Sequence, residues 1–204
     1  MLYKLAHIIQ HNLPFLWNAV EECNALVFGI QKSKGLRTLG DCCSDCIRLA
    51  TEDDAEALAG FFSRQPEGSY KWFRPHAFDV QSLRRLLRLR SYVIYVQEED
   101  GQIIGYAFLR CFCNGKCFIG KMVDYRHQGK GVCTTLCRVG MRMATRLGIR
   151  MYESINKENV GSMKASEKAC EVTMVETLED GDVLIEDKPK RDDEWYEVHG
   201  TLWC

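Results

Sequence analysis

Several features that would point directly to a function are missing from this 204-residue chain. Its formal net charge is −1, so it lacks the overall basicity that is typical of nucleic-acid-binding proteins. No apolar run reaches the roughly 18 residues needed to span a bilayer. The opening MLYKLAHIIQ contains polar residues and no small-residue cleavage site, so it is not typical of a signal peptide. We therefore expect a cytoplasmic protein without a transmembrane segment or a nucleic-acid partner.

Histidines at zinc-finger spacing are also missing, although cysteine is abundant. The eleven cysteines include the C-x-x-C pair Cys43 and Cys46 and a later cluster of Cys111, Cys113 and Cys117. A structural zinc needs four converging ligands, which the two groups could supply only if they met in space. Free thiols in a reducing compartment more often serve as small buried apolar groups. We expect no metal, and the sequence leaves open whether the cysteine groups meet.

The length fits one domain with an appendage. We expect an N-terminal helical extension over residues 1–36, a main domain over 46–187 and a tail over 188–204. Residues 2–31 have a helical pattern, broken near Pro14, and 31–45 resemble a linker. The apolar stripe in the second half of this helix must be covered. Packing on the main domain is the favoured interpretation, and homodimerisation and docking on a membrane surface are the alternatives.

Alternating apolar residues and turn signals predict most of a sheet. Three antiparallel strands are expected at 92–97, 102–111 and 117–123, joined by EEDG and Asn114-Gly115. The other predicted elements are a strand at 46–50, helices starting at Thr51 and spanning 79–90, a helix ending near Leu147, a strand at 149–155, a helix at about 158–169, and strands at 172–176 and 183–186. Because a helix connects strand 117–123 to strand 149–155, these two should be parallel neighbours.

The segment HQGKGVCTTL, residues 127–136, lies where a predicted strand passes into a helix. Glycines let the backbone approach a ligand, and the N–H groups that begin a helix bind phosphates. A Walker loop is absent, and Thr134 replaces the third glycine of a dinucleotide fingerprint. Residues 120–150 hold seven Lys/Arg and one acid, which suits an anionic ligand. The alternative is that these residues simply form a charged helix surface.

The stretch Gln128-Gly129-Lys130-Gly131-Val132-Cys133 resembles the Q/R-x-x-G-x-G/A loop of the GCN5-related N-acetyltransferases, the GNAT family. Val123-Asp124 stands where relatives have a Val-x-Pro strand end. Asn159 and Ser162 resemble the N-x-x-A/S that begins the family's next helix. The order of predicted elements also fits from about residue 46 to 187. The resemblance implies a mixed α/β fold with a central, mostly antiparallel sheet flanked by helices.

The resemblance also implies that the chain binds acetyl-CoA as a cosubstrate. The pyrophosphate would lie on the N–H groups of the glycine loop, and the pantetheine arm would pair with the edge of the preceding strand. An N–H there would polarise the thioester carbonyl. The residues assigned to the cofactor in this way are Lys121, Met122, Val123, Gln128, Gly129, Lys130, Gly131, Val132, Cys133, Asn159 and Ser162.

Two catalytic positions depart from the family pattern. Relatives often carry a tyrosine acid seven residues after the asparagine, and Ser166 stands there in this chain. Ser166 is a poor acid, although it could relay a proton through water. Some relatives place a glutamate base where this chain has Ser154, and Glu153 lies one residue away, on the other face of the strand. Glu153 is the candidate base, and an exposed strand carboxylate is the alternative.

The segment SYKWFRPHAFD, residues 69–79, lies where the family shapes its acceptor pocket. Trp72 offers a flat apolar face, and Arg74 and His76 offer donors, a combination that suits a sugar. The alternative is that the aromatic residues fill the core and His76 is a satisfied loop residue. We expect transfer of an acetyl group to the primary amine of a small molecule, an amino sugar being the first candidate. The other hypothesis is an acyl-CoA-binding sensor or partner module with little catalysis.

Overall fold

A computed structural model of the chain describes residues 14–44, 46–178 and 181–190, and these residues form one seven-stranded sheet flanked by helices. The strands are β1 (Ile47–Leu49), β2 (Tyr92–Glu99), β3 (Gln102–Phe112), β4 (Lys116–Val123), β5 (Arg150–Asn156), β6 (Cys170–Thr177) and β7 (Asp182–Pro189). The α-helices are α1 (Pro14–Gln31), α2 (Ser33–Arg37), α3 (Ala55–Ser63), α4 (Val80–Arg88), α5 (Val132–Leu147) and α6 (Val160–Ala169). No helix in these ranges is long and apolar enough to cross a bilayer.

The sheet order is β1-β2-β3-β4-β5-β7-β6. All neighbouring pairs are antiparallel except β4 and β5, which run parallel on either side of the α5 crossover. The hairpin turn between β3 and β4 contains Gly115, whose φ of 79° is in the left-handed region. The predicted fold class, the strand order along the chain and the parallel pair are therefore confirmed.

Each face of the sheet carries its own apolar core. On one face α5 packs over the sheet, and the Tyr95 hydroxyl of β2 donates to the Leu136 carbonyl at 2.9 Å. On the other face α3 and α4 cover an aromatic cluster that includes Phe62, Tyr106 and Phe108. Because strand side chains alternate between the faces, β4 contributes Cys117 and Ile119 to the first core and Met122 to the second.

Helix α1 packs on the main domain, which is the favoured interpretation of its apolar stripe. Ala25 and Phe28 are buried, and the Asn24 amide bonds to the Cys111 carbonyl at 2.9 Å and accepts from the Cys113 N–H at 3.0 Å. The opposite side of the helix remains exposed and apolar. Its exposed large residues are Val20, Leu26, Val27 and Ile30. Dimerisation and membrane docking remain hypotheses, and the predicted helical residues before Pro14 lie outside the described ranges.

The linker predicted over residues 31–45 is wrong. The segment forms α2 and a 3₁₀ turn over Leu39–Cys42, and Leu39 and Cys42 are buried against α5 and the sheet. Its Gly, Ser and Lys content obscured an apolar repeat, Leu36, Leu39 and Cys42, at three-residue spacing. At the other end, β7 continues two residues past the predicted boundary at 187, and residues 191–204 lie outside the described ranges.

Candidate functional site

Strands β4 and β5 pair at one end and separate at the other. Their parallel register covers only three residue pairs, from Lys116 opposite Arg150 to Phe118 opposite Tyr152. Strand β4 nevertheless continues to Val123 and remains paired with β3 over its whole length. Within the described part of the chain, no strand pairs with the β5-facing edge of β4 over residues 119–123, so the backbone N–H and C=O groups that point to this side are free to bind a ligand. An extended amide-containing chain can pair with such an edge as an added strand does.

The glycine loop joins this open edge to α5. Gly129 has a φ of 75° and Gly131 a φ of 89°, and Gly131 is the N-cap of α5. A Cβ at either position would meet no atom within 4 Å, so the backbone angles, not crowding, favour glycine here. The first N–H groups of a helix have no acceptor within the helix, so this end of α5 carries donors and partial positive charge suited to phosphate.

Asp124 anchors the turn that precedes the loop. Its carboxylate is fully buried and accepts from Arg64 Nε at 2.9 Å, Arg126 Nε at 2.9 Å and the Arg126 backbone N–H at 3.0 Å. The pKa of Asp124 is held well below its usual range, because Arg126 and Arg64 bond to the ionised carboxylate. Gln65, the residue after Arg64, accepts from the Tyr125 N–H at 3.0 Å. The end of α3 thus fixes the position of the loop.

A cavity of about 930 Å³ occupies the gap between the strands. All the predicted cofactor residues line it except Lys130, which is exposed at the loop tip. Its basic lining residues are Lys71, Arg74, Lys121, Lys164 and Lys168, and its acidic ones are Glu153 and Asp182. The lining is thus predominantly basic, as binding of a multiply charged phosphate compound requires.

Two serines and an ion pair form a buried network at the floor of the gap. The Lys121 ammonium on β4 pairs with Glu153 on β5 and lies 3.2 Å from Ser166 Oγ on α6. Ser166 donates to Glu153 Oε2 at 2.7 Å, and Ser162 donates to Glu153 Oε1 at 3.2 Å. The alternative that Glu153 is an exposed strand carboxylate is wrong, because only 4% of the residue is accessible. Three donors, from Lys121, Ser162 and Ser166, already engage its two oxygens.

Two cysteines of α5 adjoin this network. Cys137 Sγ lies 3.7 Å from Ser166 Oγ, and Cys133 lines the cavity one helical turn earlier. A hydrogen bond from the Cys137 thiol lowers the pKa of Cys133, and the Lys121 charge lowers it further. Cys133 also occupies the last small position of the loop. The site therefore contains a partly exposed thiol of enhanced acidity close to the expected cofactor position.

Asn159 is placed as a helix cap. It is the N-cap residue of α6, and its side-chain oxygen accepts from the Ser162 backbone N–H at 3.2 Å. The cap fixes the first turn of α6 beside the cavity, and Asn159 and Ser162 both line it. The spacing that resembles the family motif thus has a local structural reason.

The three predicted acceptor residues separate into two groups. Trp72 and Arg74 line the cavity, and Trp72 lies under the Lys71 ammonium, 4.1 Å from the ring centroid. His76 instead lies in the aromatic core, where Nε2 is 2.8 Å from the Tyr106 hydroxyl and Nδ1 is 2.8 Å from the Ala77 carbonyl. Burial lowers the pKa of His76, so the ring is neutral at pH 7. The structure therefore does not bring His76 to the acceptor end of the cavity.

The cysteines of the described residues serve mainly as buried apolar groups or exposed free thiols. Among residues 14–44, 46–178 and 181–190, no three His, Cys, Asp or Glu side chains are grouped to hold a metal ion. Cys111 and Cys117 face each other across β3 and β4 and are buried, while Cys46 and Cys113 are exposed.

Sequence reasoning missed two parts of the site. It assigned only the backbone of Lys121, although the alternation Cys117, Ile119, Lys121 places that side chain on the buried face of β4. It also missed Arg64, because no local pattern shows that the end of α3 reaches a carboxylate sixty residues away.

Comparison with known proteins gives the same picture. Residues 46–169, more than half of the chain, match the family described as the acetyltransferase (GNAT) domain. No curated protein sequence matches the chain. The GNAT domain of S. lividans PAT is similar in structure, with 22% identity and a TM-score of 0.61 over 69% of this chain and 88% of that one.

Two further solved structures are similar. AAC(6')-Ib, in complex with paromomycin and acetyl-CoA, shares 19% identity and a TM-score of 0.57 over 77% of this chain and 98% of that one. The ribosomal-protein-S5-alanine acetyltransferase of Vibrio fischeri shares 17% identity and a TM-score of 0.57 over 72% and 93%. At these identities the likeness shows the fold. The family match shows more: the chain belongs to the GNAT acetyltransferases, enzymes that use acetyl-CoA.

Proposed function

We propose that this enzyme transfers the acetyl group of acetyl-CoA to the primary amine of a small molecule, an amino sugar being the first candidate. The proposal depends on one observation: the open edge of β4, the glycine loop and the segment around Trp72 all line the same cavity. One end of the cavity suits a phosphate-bearing thioester and the other suits an acceptor. Transfer between them needs chiefly that both reactants be held together.

The cofactor end is proposed as follows. The N–H groups from Gln128 to Cys133 would hold the pyrophosphate, and the edge of β4 at 121–123 would pair with the pantetheine amides. Asn159 and Ser162 would border the same arm through α6. Lys130 would add charge from the loop tip. Positive φ at both loop glycines and the basic lining support this placement.

The acceptor end is proposed to lie at Trp72 and Arg74. Trp72 is 38% exposed and offers an aromatic face, and Arg74 has no partner in the described part of the chain. An aromatic face and a free guanidinium suit a polar ring that carries an oxygen-rich or acidic substituent. An aminoglycoside acetyltransferase is among the similar structures, which supports an amino-sugar acceptor. The ribosomal-protein acetyltransferase makes a peptide amine the competing acceptor.

A binding module with little catalysis is the second candidate. The observation that favours it is Ser166, which stands where relatives often have a tyrosine acid. Its hydroxyl donates to Glu153, so it is not oriented as an independent acid. This candidate predicts tight binding of acetyl-CoA and no acceptor-dependent turnover.

Release of free CoA from acetyl-CoA separates the two candidates. We would test amino sugars, amino acids, polyamines and a short peptide with an N-terminal alanine, and measure binding of acetyl-CoA by calorimetry in parallel. Acceptor-dependent release with an amino sugar supports the proposal. Binding without release from any acceptor supports the module, and release with the peptide alone transfers the assignment to protein N-termini.

The cofactor site itself is tested by a matched pair of variants. Gly129→Val/Gly131→Val should abolish binding of acetyl-CoA. The control is Gly101→Val/Gly115→Val, since both of these glycines also have positive φ and open surroundings but lie in hairpin turns outside the cavity lining. Both pairs incur backbone strain, so equal losses of stability with unequal losses of binding are expected. If both bind acetyl-CoA equally well, the loop does not hold the cofactor.

A further inference from the structure

The end of the Lys121 side chain lies beside Ser166, the position at which relatives often carry a tyrosine acid. Ser166 offers only a hydroxyl at that position, and Lys121 Nζ lies 3.2 Å from its Oγ. Resting on the proposed acetyl transfer, we propose that the Lys121 ammonium stabilises the CoA thiolate as it leaves, in place of the missing phenol.

Lys121 has the position that this role requires. It lies on β4 within the open edge proposed to pair with the pantetheine arm, and it lines the cavity although its side chain is only 2% exposed. An ammonium has three donors. Glu153 and Ser166 are its two acceptors in the described part of the chain, so one N–H remains for a ligand atom.

The surroundings keep this lysine charged. Burial alone would favour the neutral amine, but the ion pair with the Glu153 carboxylate helps to raise the pKa of Lys121 above its ordinary value. A group this reluctant to lose its proton acts as a fixed positive charge and not as a proton donor. The buried setting strengthens the attraction between that charge and a thiolate, because little water screens it.

The step balances without a protein acid. The neutral amine nitrogen attacks the thioester carbonyl carbon, the C–N bond forms, and the C–S bond breaks with its electron pair on sulfur. The thiolate receives a hydrogen bond from Lys121 and departs as an anion that takes its proton from water. The proton lost by the amine passes to water, because three donors occupy Glu153.

Titration of the thiol of bound CoA tests the proposal without an acceptor. Thiolate ultraviolet absorbance is followed against pH for the complex with CoA, and the same titration with desulfo-CoA corrects for the protein's own thiols. We expect the pKa of the bound CoA thiol to lie about one to two units below the value of about 8.5 for an ordinary thiol. A bound thiol that titrates at or above the ordinary value would overturn the proposal.

The variants remove the charge without leaving an unpaired partner. Lys121→Met alone would bury an uncompensated Glu153, so Lys121→Met/Glu153→Gln is used. It should still bind CoA but return the pKa of the bound thiol to the ordinary value or above. The matched control is Lys116→Met, a lysine of the same strand that lies outside the cavity lining. It should leave the thiol pKa lowered, and equal effects of the two changes would contradict a specific role for Lys121.

An acceptor found by the CoA-release assay adds a kinetic readout. The double variant should lose about 10²-fold in kcat, and adding Ser166→Tyr should recover part of it together with a new fall in rate at high pH from ionisation of the phenol. A kcat unchanged in the double variant would refute the proposal. Failure of wild-type protein to bind CoA would instead refute the cofactor assignment, so the two failures are distinguishable.

Discussion

Replacing Asp187 by asparagine should remove much of the pH dependence of the free energy of unfolding. Asp187 lies on β7 between Met151 of β5 and Val172 of β6, and only 2% of it is accessible. Neither of its oxygens has a hydrogen-bond partner in the described part of the chain. Burial, with a contribution from the Glu153 charge, raises the pKa of Asp187 to about 7.

The size of the effect follows from the two pKa values. An unfolded aspartate titrates near 3.8, so the pKa difference of about 3 units corresponds to about 4 kcal/mol when fully developed. The folded state holds the proton more tightly, so stability is greatest below the unfolded pKa and is lost as the pH rises through about 7. Between pH 5 and pH 8 the loss attributable to this group is about 2–3 kcal/mol.

The neighbouring titratable groups do not change this expectation. Besides Glu153, the groups that act on Asp187 or respond to it are Lys121 and the thiols of Cys117 and Cys170. Burial raises the pKa of both thiols well above the tested range, so they stay neutral. Lys121 stays charged throughout. Only Asp187 among these groups is expected to change its charge because of its own raised pKa.

Urea denaturation of wild type and Asp187→Asn at pH 5 and pH 8 measures the effect. For each protein, the free energy of unfolding at pH 8 is subtracted from that at pH 5. Taking the variant's difference from that of the wild type then cancels the contributions of all groups that titrate alike in both. We expect a remainder of about 2–3 kcal/mol, with the wild type losing more stability toward pH 8. Equal pH dependence in the two proteins would show that Asp187 is ionised or bonded in the folded state and would refute the reasoning.

Three further changes test the anchoring of the loop, the packing of α5 and the thiol beside it. Asp124→Ala should lower the free energy of unfolding by about 2 kcal/mol, which is less than for a fully buried pair because Arg64 is partly exposed. The variant should also bind acetyl-CoA more weakly in calorimetry, and unchanged binding would contradict the anchoring role. Gly140→Ala places a Cβ 2.5 Å from Tyr95 Oη and should cost about 1–3 kcal/mol in urea denaturation, of which Tyr95→Phe recovers part; strictly additive losses would contradict the clash. Iodoacetamide at neutral pH should alkylate Cys133, and bound acetyl-CoA should protect it, as measured by peptide mass spectrometry. If acetyl-CoA does not change the extent of labelling, Cys133 lies outside the cofactor site.

The elements predicted from local pattern agree with the structure where a single short-range signal dominates. The hairpin around Gly115 and the alternation along β4 are short-range features, and both appear in the structure. The structure of segment 31–45 was not predicted, because its apolar residues are few and lie among residues typical of loops. Only contact with α5 and the sheet makes it helical and buried, and such tertiary contacts leave little trace in a short window.

In the site, too, features set by local sequence could be predicted and those set by tertiary contacts could not. The glycine loop could be located because its residues must be glycine for backbone reasons that hold within the loop itself. The partners of Lys121 could not, since they depend on how far β4 and β5 separate and on where α6 crosses the gap. The alternation of strand faces does predict that Glu153 and Ser154 point to opposite sides of β5. Glu153 lies on the buried side and Ser154 on the exposed side.

The network also predicts the pH dependence of turnover. The proposed transfer assigns no proton exchange to Lys121, which keeps its proton, or to Glu153, whose two oxygens are engaged by three donors. The fraction of neutral acceptor amine then sets the rate. With an amino-sugar acceptor, kcat/KM should rise tenfold per pH unit up to the pKa of that amine and then level off. Two acceptors with different amine pKa values should shift the profile by the difference between them. A limb that stays at the same pH for both would identify a protein group as the base and would return Glu153 to that role.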